Sequence, residues 1–346
     1  MKKVLVAAVI GTAMMLGSCG TSPCDCVNMG KEMAEKIVPD YFPIPTSYFG
    51  HTKKSVCDVF VRVKKGPKDY QYIKRFHADD GIEEKDIEGY LKKNVTDLYV
   101  PSAFRLQVVN SVTDNLIGTL LSKNTSDADR GKAISQGQEI VRDEFLIHGF
   151  TEKTRELSKA CIQAILKPIK GNNSFNQLLK SLTENTSGYL FMHGQLTSYV
   201  ACHILGKIDW GTEEQMEKLA FVAFFHDILL DDRLSKIHTK LALETADLSN
   251  AERETVKKHA QMASEMVVGF ESAPIGVDAI IKQHHGARNG VGFTDRFSSA
   301  LSPLAIVYIV AEEFVHLVLT MVESKEPKPL SDITEEMKKR FKSNSY

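Results

Sequence analysis

Cysteine is scarce: six residues in a chain of 346, scattered rather than paired, argue against a disulfide scaffold. Cys24 and Cys26 are too close for an easy mutual disulfide and lack the partners of a zinc site. Excess charge is missing as well, with 43 Lys and Arg against 44 Asp and Glu, a net charge of −1. That balance argues against a nucleic-acid coat, a histone-like partner or a broad anionic-membrane surface, while small basic pockets remain compatible with it. Long apolar runs are confined to the first residues and to 302–322, and the second run carries Glu312, Glu313 and His316. A polytopic membrane protein is therefore excluded. No internal repeat and no low-complexity tract interrupts the chain. What is there, 43% hydrophobic and 25% charged residues, is the composition of an ordinary globular chain, long enough for about two domains.

Segment 1–18 is signal-like: Lys2 and Lys3, an apolar run from Val4 to Leu16, then Gly17-Ser18-Cys19. Leu16-Gly17-Ser18-Cys19 resembles a bacterial lipobox, which would make Cys19 a lipid anchor; the alternative is a true start at Met29 or Met33 and a cytoplasmic protein. Residues 19–45, with Pro23, Pro39, Pro43 and Pro45, read as a tether. Residues 46–110 read as a small α/β module: Val59, Val61 and Val63 alternate with Phe60 and Arg62, Tyr70 to Ile73 follows as a hairpin partner, 82–93 has helical spacing, and 95–100 is strand-like before Pro101. No phosphate-binding glycine loop or catalytic constellation lies there, so sensing, docking to a protein partner, or dimerisation is the role expected of it. From 111 to 322 apolar residues recur at three and four through 139–149, 154–168, 175–182, 189–206, 214–230, 251–269, 275–283 and 303–321, and Thr212-Glu213-Glu214 is a helix start. Residues 323–346 read as a charged, solvated tail. The fold class expected is mainly α, a helical bundle behind a small α/β module.

Chemistry concentrates in the bundle. Eight of the eleven histidines fall between 193 and 316. His193, Phe225-His226-Asp227, His259, His284-His285 and Glu312 each fall on an expected helix. Imidazole nitrogens and carboxylates suit iron, manganese or zinc. An adjacent His-Asp pair lets one carboxylate bridge two metals while its neighbour binds one of them. Two metals about 3.5–4 Å apart can generate hydroxide and stabilise both oxygens of an in-line attack at phosphorus.

Phe225-His226-Asp227-Ile228, with His193 upstream and His259 and His284-His285 downstream, resembles the HD-domain phosphohydrolases. The run His284-His285-Gly286-Ala287-Arg288-Asn289-Gly290-Val291-Gly292-Phe293 is similar to the HD-GYP subgroup, a divergent version without its Tyr and Pro. The resemblance covers about 185–320. It implies an HD-type helical bundle, two divalent metal ions (iron or manganese), and hydrolysis of cyclic di-GMP. Carried over residue by residue, the metal set would be His193, His226, Asp227, His259, His284, His285 and Glu312, with Asp227 as bridge and Asp227 and His226 as the catalytic pair. Arg288, Asn289, Gly290 and Gly292 are the substrate-side candidates, although Arg288 could equally contact only water and the glycines could equally just shape a turn.

The chain departs from the family's pattern at several positions. Tyr189 stands where some members carry a third-metal Glu, so two metals are expected rather than three. Leu230 replaces the Lys after His-Asp, Gly286 the Glu after the doubled His, Asn289 the loop Asp, and Glu312 the usual Asp; Gly-Tyr-Pro has become Gly292-Phe293-Thr294. No Lys or Arg occurs from 313 to 324. His203 and His316 are left outside the ligand set. The leading expectation is a binuclear phosphodiesterase acting on a cyclic dinucleotide, with no nucleic-acid polymer as partner. The alternatives are an HD phosphohydrolase of another phosphate ester and a metal-bound sensor or interaction module without turnover.

Overall fold

The computed structural model describes residues 40–342, apart from 53, 68, 172–173, 185–187, 294–299 and 325–329. The signal-like segment, most of the tether and Thr294 lie outside the described residues. The chain divides into two compact units between Leu116 and Ile117.

In the first unit, strands β1 (Tyr41–Pro45), β2 (Val59–Lys64), β3 (Tyr70–Phe76) and β4 (Asp97–Pro101) form one antiparallel sheet in the order β1-β4-β2-β3. The alternation at Val59 to Val63 pairs with β3 as the expected hairpin, Arg62 opposite Tyr72. Helix α1 (Glu84–Leu91) buries Ile87, and Ile44, Val59, Leu98 and Val100 fill the core with it. One expectation is corrected here: residues 41–45 are not tether but strand. β1 lies at the sheet edge, where Pro43 and Pro45 need donate no ladder hydrogen bond, so the prolines do not bar it. Helix α2 (Arg105–Leu121) closes this unit and enters the next.

The second unit is helical: α3 (Asp127–His148), α4 (Glu152–Lys170), α5 (Phe175–Glu184), α6 (Tyr189–Leu205), α7 (Glu213–Phe225), α8 (Lys240–Thr245), α9 (Asn250–Val268), α10 (Val277–Gln283), α11 (Pro303–Ser324) and α12 (Leu330–Phe341). Thr212 caps α7 as its sequence suggests: its side chain accepts from the Gln215 N–H, and Gln215 reaches back to the Thr212 N–H. Ser249 and Glu252 close the same box on α9. Helix α6 lies between α7 and α11, while α10 touches α7, α9 and α11. Helix α11 is apolar and long enough to cross a bilayer, but its Ala305, Tyr308, Ala311, Val315 and Leu319 are buried in the bundle. The region expected to be a charged, solvated tail contains α12, tied back by an ion pair between Arg340 and the partly buried Glu313.

Candidate metal centre

The expected helix over 214–230 stops at Phe225, and His226 and Asp227 stand in the turn beyond it. His284 and His285 likewise follow the last residue of α10. The physical reason is the orphaned carbonyls of a helix end. His226 donates its Nδ1–H to the Ala223 carbonyl at 3.2 Å, and His284 donates its own to the Ile281 carbonyl at 2.6 Å. His259, inside α9, does the same to Val256 at 2.6 Å. Each of these rings therefore turns a bare Nε2 inward, the tautomer that a metal needs.

The inward atoms converge. His259 Nε2 lies 3.1 Å from His284 Nε2 and 3.1 Å from His285 Nε2, with Asp227 Oδ1 at 3.1 Å from the first and 3.7 Å from the second. Across Asp227, whose Oδ2 is 3.6 Å from His226 Nε2, a second group forms: His193 Nε2 is 3.1 Å from His226 Nε2 and 3.7 Å from Glu312 Oε1. All seven residues expected as a metal set are thus brought together, as one group of Asp227, His259, His284 and His285 and another of His193, His226 and Glu312. Every one is buried except His285, which is partly exposed.

Electrostatics match a cage built for cations. Burial keeps the imidazoles of His226, His284 and His285 neutral by lowering their pKa, and takes His193 to about 3. Burial pushes the Asp227 carboxyl up, and only protonation of His226, His259 or His193 holds the group well below the usual carboxylate range. Glu312 is raised, by burial and then by the charge of Asp227. Asp227 Oδ1 and both oxygens of Glu312 are buried with no hydrogen-bond donor among the described residues. Buried carboxylate oxygens without donors, facing bare imidazole nitrogens, fit a divalent cation; neutral packing would leave them unsatisfied. The group can hold a metal ion.

The substrate-side candidates fall differently. Arg288 and Asn289 sit exposed on the loop after α10, and the Asn289 side chain accepts from the Val291 N–H at 3.2 Å. Gly290 and Gly292 pin that loop to α9: the Gly290 carbonyl accepts from the Gln261 N–H at 3.1 Å, and the Gly292 N–H donates to the Lys257 carbonyl at 2.6 Å. Both have φ of +73°, and a Cβ at Gly290 would lie 3.0 Å from the Gln261 nitrogen. Phe293 lies edge-on to His285, with ring centroids 4.4 Å apart. Leu230 is buried with Leu234, Ile237 and Val256, so no cation stands at that position.

Three further residues neighbour the cage. His316, left outside the ligand set although its spacing of one helical turn from Glu312 lets it face the site, is buried with its Nε2 3.9 Å from Glu312 Oε1. Tyr308, one turn before Glu312, sets its ring 5.4 Å from that of His226, and its hydroxyl has no partner. Asp232 accepts from the Leu190 N–H at 2.9 Å, tying the turn after Asp227 to the start of α6. His203 points away, exposed, toward its own helix carbonyl at Tyr199.

This chain has the fold of Bd1817, described as a HDG"Y"P protein, from Bdellovibrio bacteriovorus. The likeness covers 88% of this chain and 100% of that one, at 18% identity and a TM-score of 0.51. No protein-family model and no curated protein matches the chain. The mainly helical HD-type fold expected from the sequence is the fold observed.

Proposed function

We propose that the chain is an HD-type phosphohydrolase whose cage would hold two divalent ions, iron or manganese, one at Asp227, His259, His284 and His285 and one at His193, His226 and Glu312. The observation that carries this reading is the meeting of bare nitrogens. His259 and His284 face each other through Nε2 at 3.1 Å beside Asp227 Oδ1, and lone-pair repulsion opposes that arrangement until a cation lies among them. The bound ions would supply Lewis-acid charge toward a phosphoryl oxygen and a nucleophile at neutral pH.

The chain's own groups prepare the centre. The Nδ1–H bonds of His226, His259 and His284 to helix carbonyls fix ring orientation and tautomer. Tyr308 and Phe293 set aromatic rings against His226 and His285, and such apolar surface strengthens the charge interactions beside it. Our choice of substrate is a phosphodiester, cyclic di-GMP first, and it rests on the HD-GYP resemblance of the His284–Phe293 run. Exposed Arg288 is the cation we assign to the substrate side.

Metal analysis of the purified protein beside His226→Ala/Asp227→Ala tests the reading, with about two equivalents expected in the wild type and loss in the variant. Hydrolysis of cyclic di-GMP should then disappear in Asp227→Ala while the helical circular dichroism survives. Unchanged turnover would sink the catalytic assignment. Leu230 favours a second reading, a metal-bound sensor without turnover, because a buried apolar side chain offers no phosphate-neutralising cation at that position. Full metal occupancy with no hydrolysis of any phosphodiester offered would select it.

A further inference from the structure

We infer that Tyr189 and His316 form a positioning pair that aims Glu312 at the His193–His226 half of the cage and sets how tightly that half holds its cation. The inference rests on the metal-binding reading above.

Tyr189 opens α6 one turn before His193, and its ring is stacked on that of His193, with centroids 5.9 Å apart and planes within 6°. Its hydroxyl lies 2.8 Å from His316 Nδ1, and both residues are buried. A buried phenol O–H requires an acceptor, and Nδ1 is the acceptor within reach. With Nδ1 accepting, the neutral imidazole of His316 carries its proton on Nε2. That is the nitrogen facing Glu312 Oε1, at 3.9 Å, one helical turn back along α11. The opposite tautomer would strand the phenol proton and turn a bare nitrogen toward a carboxylate oxygen.

The His316 ring has little freedom to leave this orientation. His193 stacks against it at 4.4 Å, and His238 stacks against it at 3.6 Å with planes 9° apart. His238 is itself held by its Nδ1–H to the Lys236 carbonyl at 3.0 Å. At 3.9 Å the N–H is beyond hydrogen-bond length, but Glu312 has no donor on either oxygen among the described residues, and the broad terminal torsion of a Glu side chain allows it to close that gap. Glu312 Oε1 also lies 3.7 Å from His193 Nε2, so a carboxylate steered in this way is kept beside the His193–His226 group.

The test is a titration of metal-free full-length protein with Co2+ alone, followed by visible absorbance and calorimetry. Wild type should show two uptake steps, and the step lost in Glu312→Ala identifies the Glu312 half. Tyr189→Phe keeps the stacked ring and removes the O–H; His316→Leu removes the N–H. Both should weaken that step about 10–100-fold and leave the other step unchanged. His316→Gln, whose amide N–H can still donate to Glu312, should recover most of the loss. Unchanged affinity in Tyr189→Phe and His316→Leu would overturn the inference, and so would equal weakening of both steps or failure of His316→Gln to recover. A wild type that binds no Co2+ would instead remove the metal-binding reading beneath it.

Discussion

Gly194 follows His193, and a methyl group there would meet the Ala223 carbonyl oxygen at 2.9 Å across the α6–α7 contact. That approach is what lets His193 and His226 bring their Nε2 atoms to 3.1 Å. Gly194→Ala should cost about 1–3 kcal/mol by forced separation of the helices, and denaturant unfolding will measure it; metal uptake by the His193 half should fall with it. The buried imidazoles make a pH prediction with a definite sign. His193, His226, His284, His285 and His316 all have pKa values lowered by burial, His193 to about 3, against 6.5 for an unperturbed histidine. The unfolded chain takes up these protons near pH 6.5 while the folded chain resists them, so stability is complete above that pH and drains as pH falls toward 3. Glu312 and Glu313, held high by burial, oppose it. Unfolding midpoints of metal-free protein should therefore drop between pH 7.5 and pH 5, and a flat profile would count against neutral imidazoles in the cage. At this scale the ligand residue types were legible, because adjacent His226-Asp227 and His284-His285 are rare enough to notice. Gly194 and Tyr189 were not, since what each touches comes from another helix.

Helix ends carry much of the design. His226 and His284 lie just past the last turns of α7 and α10, where side-chain N–H groups satisfy carbonyls that the helices leave open. Helical periodicity continued past Phe225 because Ile228 and Leu230 are apolar in step, yet they are buried by a turn that packs on α9. The start of α6 has no side-chain cap of its own, since Gly188 stands there. Asp232 supplies the missing acceptor from the turn after Asp227, and a Cβ at position 188 would lie 2.5 Å from its Oδ2. Asp232→Ala should cost about 1 kcal/mol, as loss of an N-cap does, measurable as a lower urea midpoint; no change would show that Leu190 finds water instead. The loop from Gly286 to Gly292 obeys the same logic. Gly290→Ala combines a positive φ with contact to backbone of α9, and should destabilise by about 1 kcal/mol or more. Hydrogen exchange at Gln261, whose N–H bonds to the Gly290 carbonyl, should then accelerate.

At the scale of the whole molecule, the helical unit gathers two imidazole-bearing turns and three long helices around bare nitrogens and carboxylate oxygens that repel one another without a counter-ion. Metal should therefore stabilise the fold by mass action, about 2.7 kcal/mol per site at a hundredfold excess over the dissociation constant. Treatment with a chelator should lower Tm, and re-addition of Mn2+ should restore it; a Tm indifferent to both would refute the cage. Local patterning was enough to find the hairpin at 59–76, most of the bundle helices, the cap at Thr212 and the seven candidate ligands, because alternation, spacing of three and four, and ligand chemistry are written along the chain. It missed β1, whose prolines are tolerated only because the strand lies at an edge, and α12, which is charged along its length and is held by the Arg340–Glu313 ion pair. The sequence by itself determined which residues can ligate a metal and which segments prefer helix. Helix packing alone set how the seven divide into two groups, that Tyr189 meets His316, and that the glycines of the loop serve packing on α9. Ligand chemistry resides in single side chains, whereas the distances between them are properties of helices packed side by side.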